Sequence, residues 1–181
     1  MSLKSRWIDL LYRSATSTKK VRTLLTPLGL LVFGSFLFLF VFLSIQTDHL
    51  LNWPKIELAL PFFFIALVLV IPGAALTGWS VIHFLKVKGT PVPLNPPPVL
   101  VTSGPYAHTR NPMLTGVFML MFGIGFWIGS LSLILLYSPL FILVNALELK
   151  FIEEPELVKR LGEDYIEYRS KTPMFVPALP F

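Results

Sequence analysis

The sequence predicts an all-α integral membrane protein with four transmembrane helices, the last two forming a C-terminal helical hairpin, and an amphipathic C-terminal helix at the cytoplasmic face. Three observations carry this. Of 181 residues, 54% are hydrophobic and only 14% charged, and mean hydropathy is +0.71, beyond what a soluble domain carries. Uncharged runs recur at membrane-spanning length. The net charge of +5 is concentrated ahead of the first of these runs. A chain embedded in lipid needs no thick water-excluding core, so residues 1–181 read as one domain. The chain has no cysteine and three histidines, His49, His83 and His108, far apart. Thiolate chemistry is excluded, and no metal site is expected.

The basic N-terminus, residues 1–22, holds Lys4, Arg6, Arg13, Lys19, Lys20 and Arg22 against Asp9 alone, whereas Asp48, Lys55 and Glu57 follow the first apolar run. Cationic flanks stay inside, which puts the N-terminus in the cytoplasm. These cations abut a span directly, which argues against a nucleic-acid tail; with Trp7 and Tyr12 they suit an anionic lipid surface. Residues 24–45 are uncharged and reach about 33 Å as a helix, enough to cross a bilayer. They are too long for a signal-peptide core and lack a small-residue cleavage pattern, so they read as a retained span. A polar turn leads into the second span, 58–85. Pro61 fits its first turn, and Pro72-Gly73 predicts a bend.

Residues 86–112 form a loop rich in proline: Pro91, Pro93, Pro96, Pro97 and Pro98 exclude helix and central strand and predict a stiff, extended surface strap. The uncharged run 111–147 would stretch about 55 Å as one helix, so it folds back. Gly129-Ser130 is the predicted tip, giving spans 113–128 and 131–152, with Pro139 bending the second. Gly116, Gly123 and Gly125 permit close helix approach. Glu154 precedes proline and is biased away from helical geometry, while Pro155 suits a first helical position, so the last span is expected to end at Glu153-Glu154. In residues 155–170, Leu157, Leu161, Tyr165 and Tyr168 fall on one face with charges elsewhere, predicting an interfacial amphipathic helix interrupted at Gly162. The even span count leaves both termini in the cytoplasm.

Alone, Arg110 reads as a snorkelling cation and Glu153-Glu154 as a solvated helix end. The hairpin changes that, because it brings both to one leaflet, beside Tyr106 and the proline strap. A cation and an anion then flank a nucleoside-sized cleft suited to a zwitterion with a flat ring. Asn145 and Thr77 are polar within spans and read as interhelical hydrogen-bonding groups. Trp79 and His83, four apart, fit either an interfacial belt or an acceptor-side wall.

The ordered run Gly89-Thr90-Pro91, Pro97-Pro98, Leu100-Val101, Ser103-Gly104-Pro105-Tyr106, Arg110-Asn111-Pro112-Met113, Thr115-Gly116, Glu153-Glu154-Pro155-Glu156-Leu157, Gly162, Tyr165, Tyr168 and Pro173 resembles the isoprenylcysteine carboxyl methyltransferase family. It is most similar to the family's small prokaryotic members, which implies a prokaryotic inner-membrane location. The resemblance covers roughly the C-terminal half. It implies an S-adenosylmethionine-dependent methyltransferase with a small or lipophilic acceptor, a carboxylate in the family's own case. The cofactor-binding residues it implies are Pro98, Val99, Leu100, Val101, Tyr106, His108, Arg110, Asn111, Pro112, Met113, Leu114 and Glu154. Arg110 and Glu153 take the catalytic positions, and Glu153 with Lys150 the substrate side. Asn111 stands where the family has histidine and can still hydrogen-bond. Leu114 stands where it has tyrosine and cannot. The arginine that eukaryotic members place four residues before the glutamate falls on Leu149, which removes a cation suited to a prenylcysteine carboxylate.

Methyl transfer from a sulfonium is an in-line displacement, so such a protein chiefly aligns its reactants. A carboxylate acceptor loses no proton, whereas an amine or hydroxyl would call on Glu153 or His108 as base. Two alternatives stay open. A membrane reductase with a nicotinamide phosphate cofactor has a similar C-terminal architecture but wants clustered cations, where this loop offers Lys86, Lys88 and Arg110. A non-catalytic scaffold would have no cofactor pocket.

Overall fold

The computed structural model describes residues 3–90 and 92–176; Pro91 and the extreme termini lie outside the described residues. The described secondary structure is helical. Helix α1, Leu3–Ala15, is followed by α2, Lys19–Leu50, and α3, Leu60–Lys86, which begins with Pro61 in its first turn. After the proline loop come a 3₁₀ turn, Gly104–Ala107, and α4, Pro112–Ile128. The chain then stays helical from Leu131 to Leu161 through two π turns: Leu133–Tyr137, α5 (Ser138–Glu148), Leu149–Glu153, and α6 (Glu154–Leu161). Helix α7, Glu163–Lys171, closes the order.

Among the described residues, three helices are long and apolar enough to cross a membrane, Lys19–Leu50, Leu60–Lys86 and Leu133–Leu161, and Pro112–Ile128 is a shorter apolar helix. Their outer faces carry Leu24, Phe38, Leu60 and Val68, all largely exposed, as expected where the surrounding solvent is lipid. Inside, Phe141 of α5 is fully buried. The rings of Phe36 and Phe40 from α2 and Phe118 from α4 lie 5.3 to 6.0 Å from it, so one aromatic cluster joins three helices.

Helices α3 and α4 pack most closely where Gly73 faces Gly116. A Cβ on Gly73 would come within 2.8 Å of the Gly116 carbonyl oxygen, so a larger residue at either position would force the backbones apart. The predicted hairpin tip is present. Gly129 ends α4 in the left-handed region at φ 70°, and its carbonyl accepts from Ile56 N at 3.1 Å. Beyond it, Asp48 from the end of α2 accepts from Ser132 N at 3.0 Å and from the Ser130 hydroxyl. This carboxylate satisfies donors that the start of the last helix would otherwise leave unpaired.

Three expectations need correction, and the N-terminal segment gains a structure. The last span does not end at Glu153-Glu154: Glu154 is helical at φ −59°, ψ −42°, and the break falls at Gly162, φ 63°. The π turn Leu149–Glu153 supplies the reason, since its wider hydrogen-bond register admits Pro155, which has no N–H to donate. The proline strap is not extended throughout: Thr90 N and Asn95 O pair at 2.9 Å, as do Asn95 N and Val92 O, so it folds into a turn with Val92 and Pro97 buried. Residues 3–15 of the basic N-terminus form helix α1, which docks on α6 through Lys159 and Asp9. Finally, Asn145 bonds not across helices but to Phe141 O of its own helix at 2.8 Å, while Thr77 does reach α4 at Met113 O, 3.4 Å.

Candidate functional site

The hairpin returns the chain to the end of the bundle where the loop begins, and the predicted cation and anion meet there. Arg110, in the turn before α4, places Nη1 3.0 Å from Oε1 of Glu154, the first residue of α6. Both side chains are about nine-tenths buried, at 11% and 9% exposed. Arg169 of α7 approaches the other oxygen of Glu154 at 3.6 Å, so two guanidinium groups bracket one carboxylate. The Arg110–Glu154 pair is close but out of line for hydrogen bonding. Arg110 Nε and Nη1 and Glu154 Oε1 are buried without a hydrogen-bond partner. Such atoms carry an unmet desolvation cost unless another polar group satisfies them.

Tyr106 forms the floor. It is 4% exposed, stacks on Phe84 at 4.7 Å between centroids, and its carbonyl accepts from the Tyr168 hydroxyl at 2.6 Å. Burial pushes the Tyr106 phenol well up. Burial holds Tyr165 up as well and pushes Tyr168 up to about 12, so all three are neutral phenols at neutral pH. Gly104, φ 61°, is held under the His83 ring, where a side chain would collide with Nε2. His83 therefore packs against the loop.

The proline loop is tied to α6 by a pair the sequence reading did not single out. Arg160 donates through Nε to Glu156 Oε1 at 2.8 Å and through Nη1 to the Pro97 carbonyl at 3.1 Å. Both side chains of this second ion pair are at least nine-tenths buried. An i,i+4 Glu–Arg spacing was the available signal. The C-terminal segment also contributes. Arg110 N and Asn111 N donate to Pro173 O and Met174 O at 2.9 and 3.1 Å, while Thr109 Oγ1 and Asn111 Nδ2 both reach Met174 O. Asn111 thus turns its amide toward the chain's own C-terminal strap.

The other predicted residues are distributed more widely. Pro112 is buried at the first turn of α4, and Leu114 packs against the aromatic core. Met113 offers its carbonyl to Thr77. Val101 is buried, while Pro98, Val99 and His108 are exposed. Glu153 ends the π turn and is partly buried. Leu149 is buried, whereas Lys150 is exposed with Nζ 5.9 Å from the Phe151 ring centroid. The expected hollow does not separate Arg110 from the glutamates, because side-chain packing closes that gap. An open crevice of about 350 Å³ lies alongside instead, lined by Leu100, Thr102 and Ala107 of the loop and by Asp164, Tyr168 and Lys171 of α7.

Comparison with known proteins places this arrangement. Residues 62–164 match the phospholipid methyltransferase family, a stretch that takes in α3, the loop, the hairpin and the glutamate pair. The chain is also 30% identical over 149 residues to the protein-S-isoprenylcysteine O-methyltransferase of Schizosaccharomyces pombe, which covers 82% of this chain and 56% of that one. The chain therefore spans a little over half the length of that curated relative. No solved structure matches it. With the matched stretch taking in more than half of the sequence and the arginine–glutamate contact inside it, the chain belongs to the phospholipid methyltransferase family and is isoprenylcysteine methyltransferase-like.

Proposed function

We propose that this protein is a membrane methyltransferase that uses S-adenosylmethionine at the cytoplasmic face and acts on a small or lipophilic acceptor. The observation that carries the reading is the buried Arg110–Glu154 contact with its unsatisfied donors and acceptor. An amino-acid moiety matches that set: a carboxylate for Arg110 Nε and Nη1, an ammonium group for Glu154 Oε1. Leu100 and Tyr168, on the adjoining crevice, offer apolar and aromatic surface for a nucleoside. These residues therefore fit the cofactor that family membership implies. When bound, S-adenosylmethionine supplies an electrophilic methyl group. The chain's own residues bind and orient: Arg110 and Glu154 fix the polar end, and Arg160 holds the proline loop in place. Glu153 faces the acceptor side, where it would take the proton from an amine or hydroxyl acceptor; a carboxylate acceptor requires no base.

The same proposal includes four crossings with both termini in the cytoplasm. Helix α4 would complete the fourth: 17 residues reach about 25 Å, and α4 runs beside α3, with its far end at the Ile56 turn. Calorimetry with S-adenosylhomocysteine and with reduced nicotinamide phosphate, on the wild type, Arg110→Ala and Glu153→Ala, tests the reading. Saturable binding of the first ligand alone, weakened by Arg110→Ala, is expected. Binding of the nicotinamide instead would make it a reductase, and binding of neither a scaffold.

A further inference from the structure

The outer face of α1 takes no part in the site. Its inner side is docked on the helix that carries the glutamates. Lys159 of α6 donates to Asp9 Oδ1 at 2.7 Å and lies 4.4 Å from the Tyr12 ring centroid, while Lys4 Nζ is 5.2 Å from the ring centroid of Phe151 in the π turn. The opposite side presents Trp7 at 57% and Leu10 at 50% exposure. At 100° per residue these two project together, with exposed Arg6 and Arg13 along one flank. Thr16, Ser17 and Thr18 then turn the chain into α2, a membrane-spanning helix whose first residues include Lys19, Lys20 and Arg22.

We infer that the outer face of α1 is a docking surface for anionic phospholipid headgroups of the leaflet into which α2 descends. Two apolar side chains flanked by cations suit an interface, where the ring and leucine enter the acyl boundary and the long basic side chains reach back to phosphates. Charge complementarity selects the partner: six cations stand against one acid, and that acid, Asp9, is already engaged by Lys159. Continuity with the α2 span keeps this face at headgroup depth. Because α1 rests on α6 and the π turn, lipid docking also holds the Glu153 segment against the leaflet. The inference is independent of the methyl-transfer proposal.

The test uses the full-length protein in lipid nanodiscs, either purely zwitterionic or containing anionic phosphatidylglycerol, with lipids brominated near the headgroup end. The Trp7 signal is isolated by subtracting a Trp7→Phe variant. Trp7 quenching is expected to be strong in the anionic discs, weak in the zwitterionic ones, and reduced by salt. Arg6→Gln combined with Arg13→Gln should lower the docked-to-undocked ratio about 30-fold, with the thermal midpoint unchanged because both side chains are exposed. Equal quenching in both lipids, insensitivity to the double substitution, or Trp7 shielding that instead rises with protein concentration would overturn the inference, the last in favour of a second copy.

Discussion

Replacing Arg110 by methionine keeps most of its volume and removes its charge, which leaves Glu154 with Arg169 alone at 3.6 Å. Breaking a buried ion pair from one side costs about 3–5 kcal/mol. The remaining, half-exposed guanidinium reduces that to roughly 2–4 kcal/mol, or several degrees in Tm. Adding Glu154→Gln removes the stranded charge and should restore most of the stability. Ligand affinity should behave differently. If Arg110 Nε and Nη1 hold a carboxylate, their loss costs about 1.5–3 kcal/mol, a ten- to 150-fold rise in Kd for S-adenosylhomocysteine. The double variant cannot recover it, since both partner groups are gone. Thermal unfolding and calorimetry on the wild type, both single variants and the double variant separate the two effects. A double variant that recovers stability and affinity together would show that the pair is structural and refute its assignment to the cofactor.

The tie between Arg160 and the Pro97 carbonyl makes Arg160 a positioning residue. Arg160→Gln should weaken S-adenosylhomocysteine binding by roughly ten-fold, for one charge-assisted hydrogen bond, and Arg160→Lys should recover part of it, both read by calorimetry. Asp48→Ala removes the carboxylate that accepts from Ser132 N and Ser130; it should cost about 1 kcal/mol in thermal unfolding and leave ligand affinity unchanged, being at the other end of the bundle. Asp9 is held below its ordinary value of 3.8 by the hydrogen bond and charge of Lys159. Its contribution to α1 docking is therefore complete above that value and lost as pH falls through the lowered one. Hydrogen exchange in α1 should accelerate only in that acid window, and Asp9→Asn should show the fast rate at neutral pH.

Much of the architecture was legible because lipid imposes simple rules. The order of the long apolar helices, the Gly129-Ser130 tip and the meeting of Arg110 with Glu154 follow from where charges interrupt apolar runs. The expectations that failed did so where local preference yielded to hydrogen-bond register. A proline after Glu154 ordinarily ends a helix, but a π turn one step earlier absorbs it, and no single residue announces a π turn. Helix α1 is hidden in the sequence because its cations read as an orientation signal and Trp7 and Tyr12 as lipid contacts, although Ile8, Leu11, Tyr12 and Ala15 share one helical face. The hairpin topology brings Arg110 to the glutamates, with Tyr106 in the turn just before it. The covering of Asn111 by Met174 was not legible, because a short strap held by backbone carbonyls leaves no side-chain pattern. The crevice was misplaced for the opposite reason: charges brought together by topology close on each other rather than stand apart.

The most direct test of the central claim follows a labelled methyl group. The purified protein, added to acceptor-containing native membranes and supplied with methyl-labelled S-adenosylmethionine, is predicted to move label from the cofactor to an acceptor, and Arg110→Met to lose that transfer. Label that stays entirely with the cofactor in acceptor-containing native membranes, or transfer that survives Arg110→Met undiminished, would contradict the account.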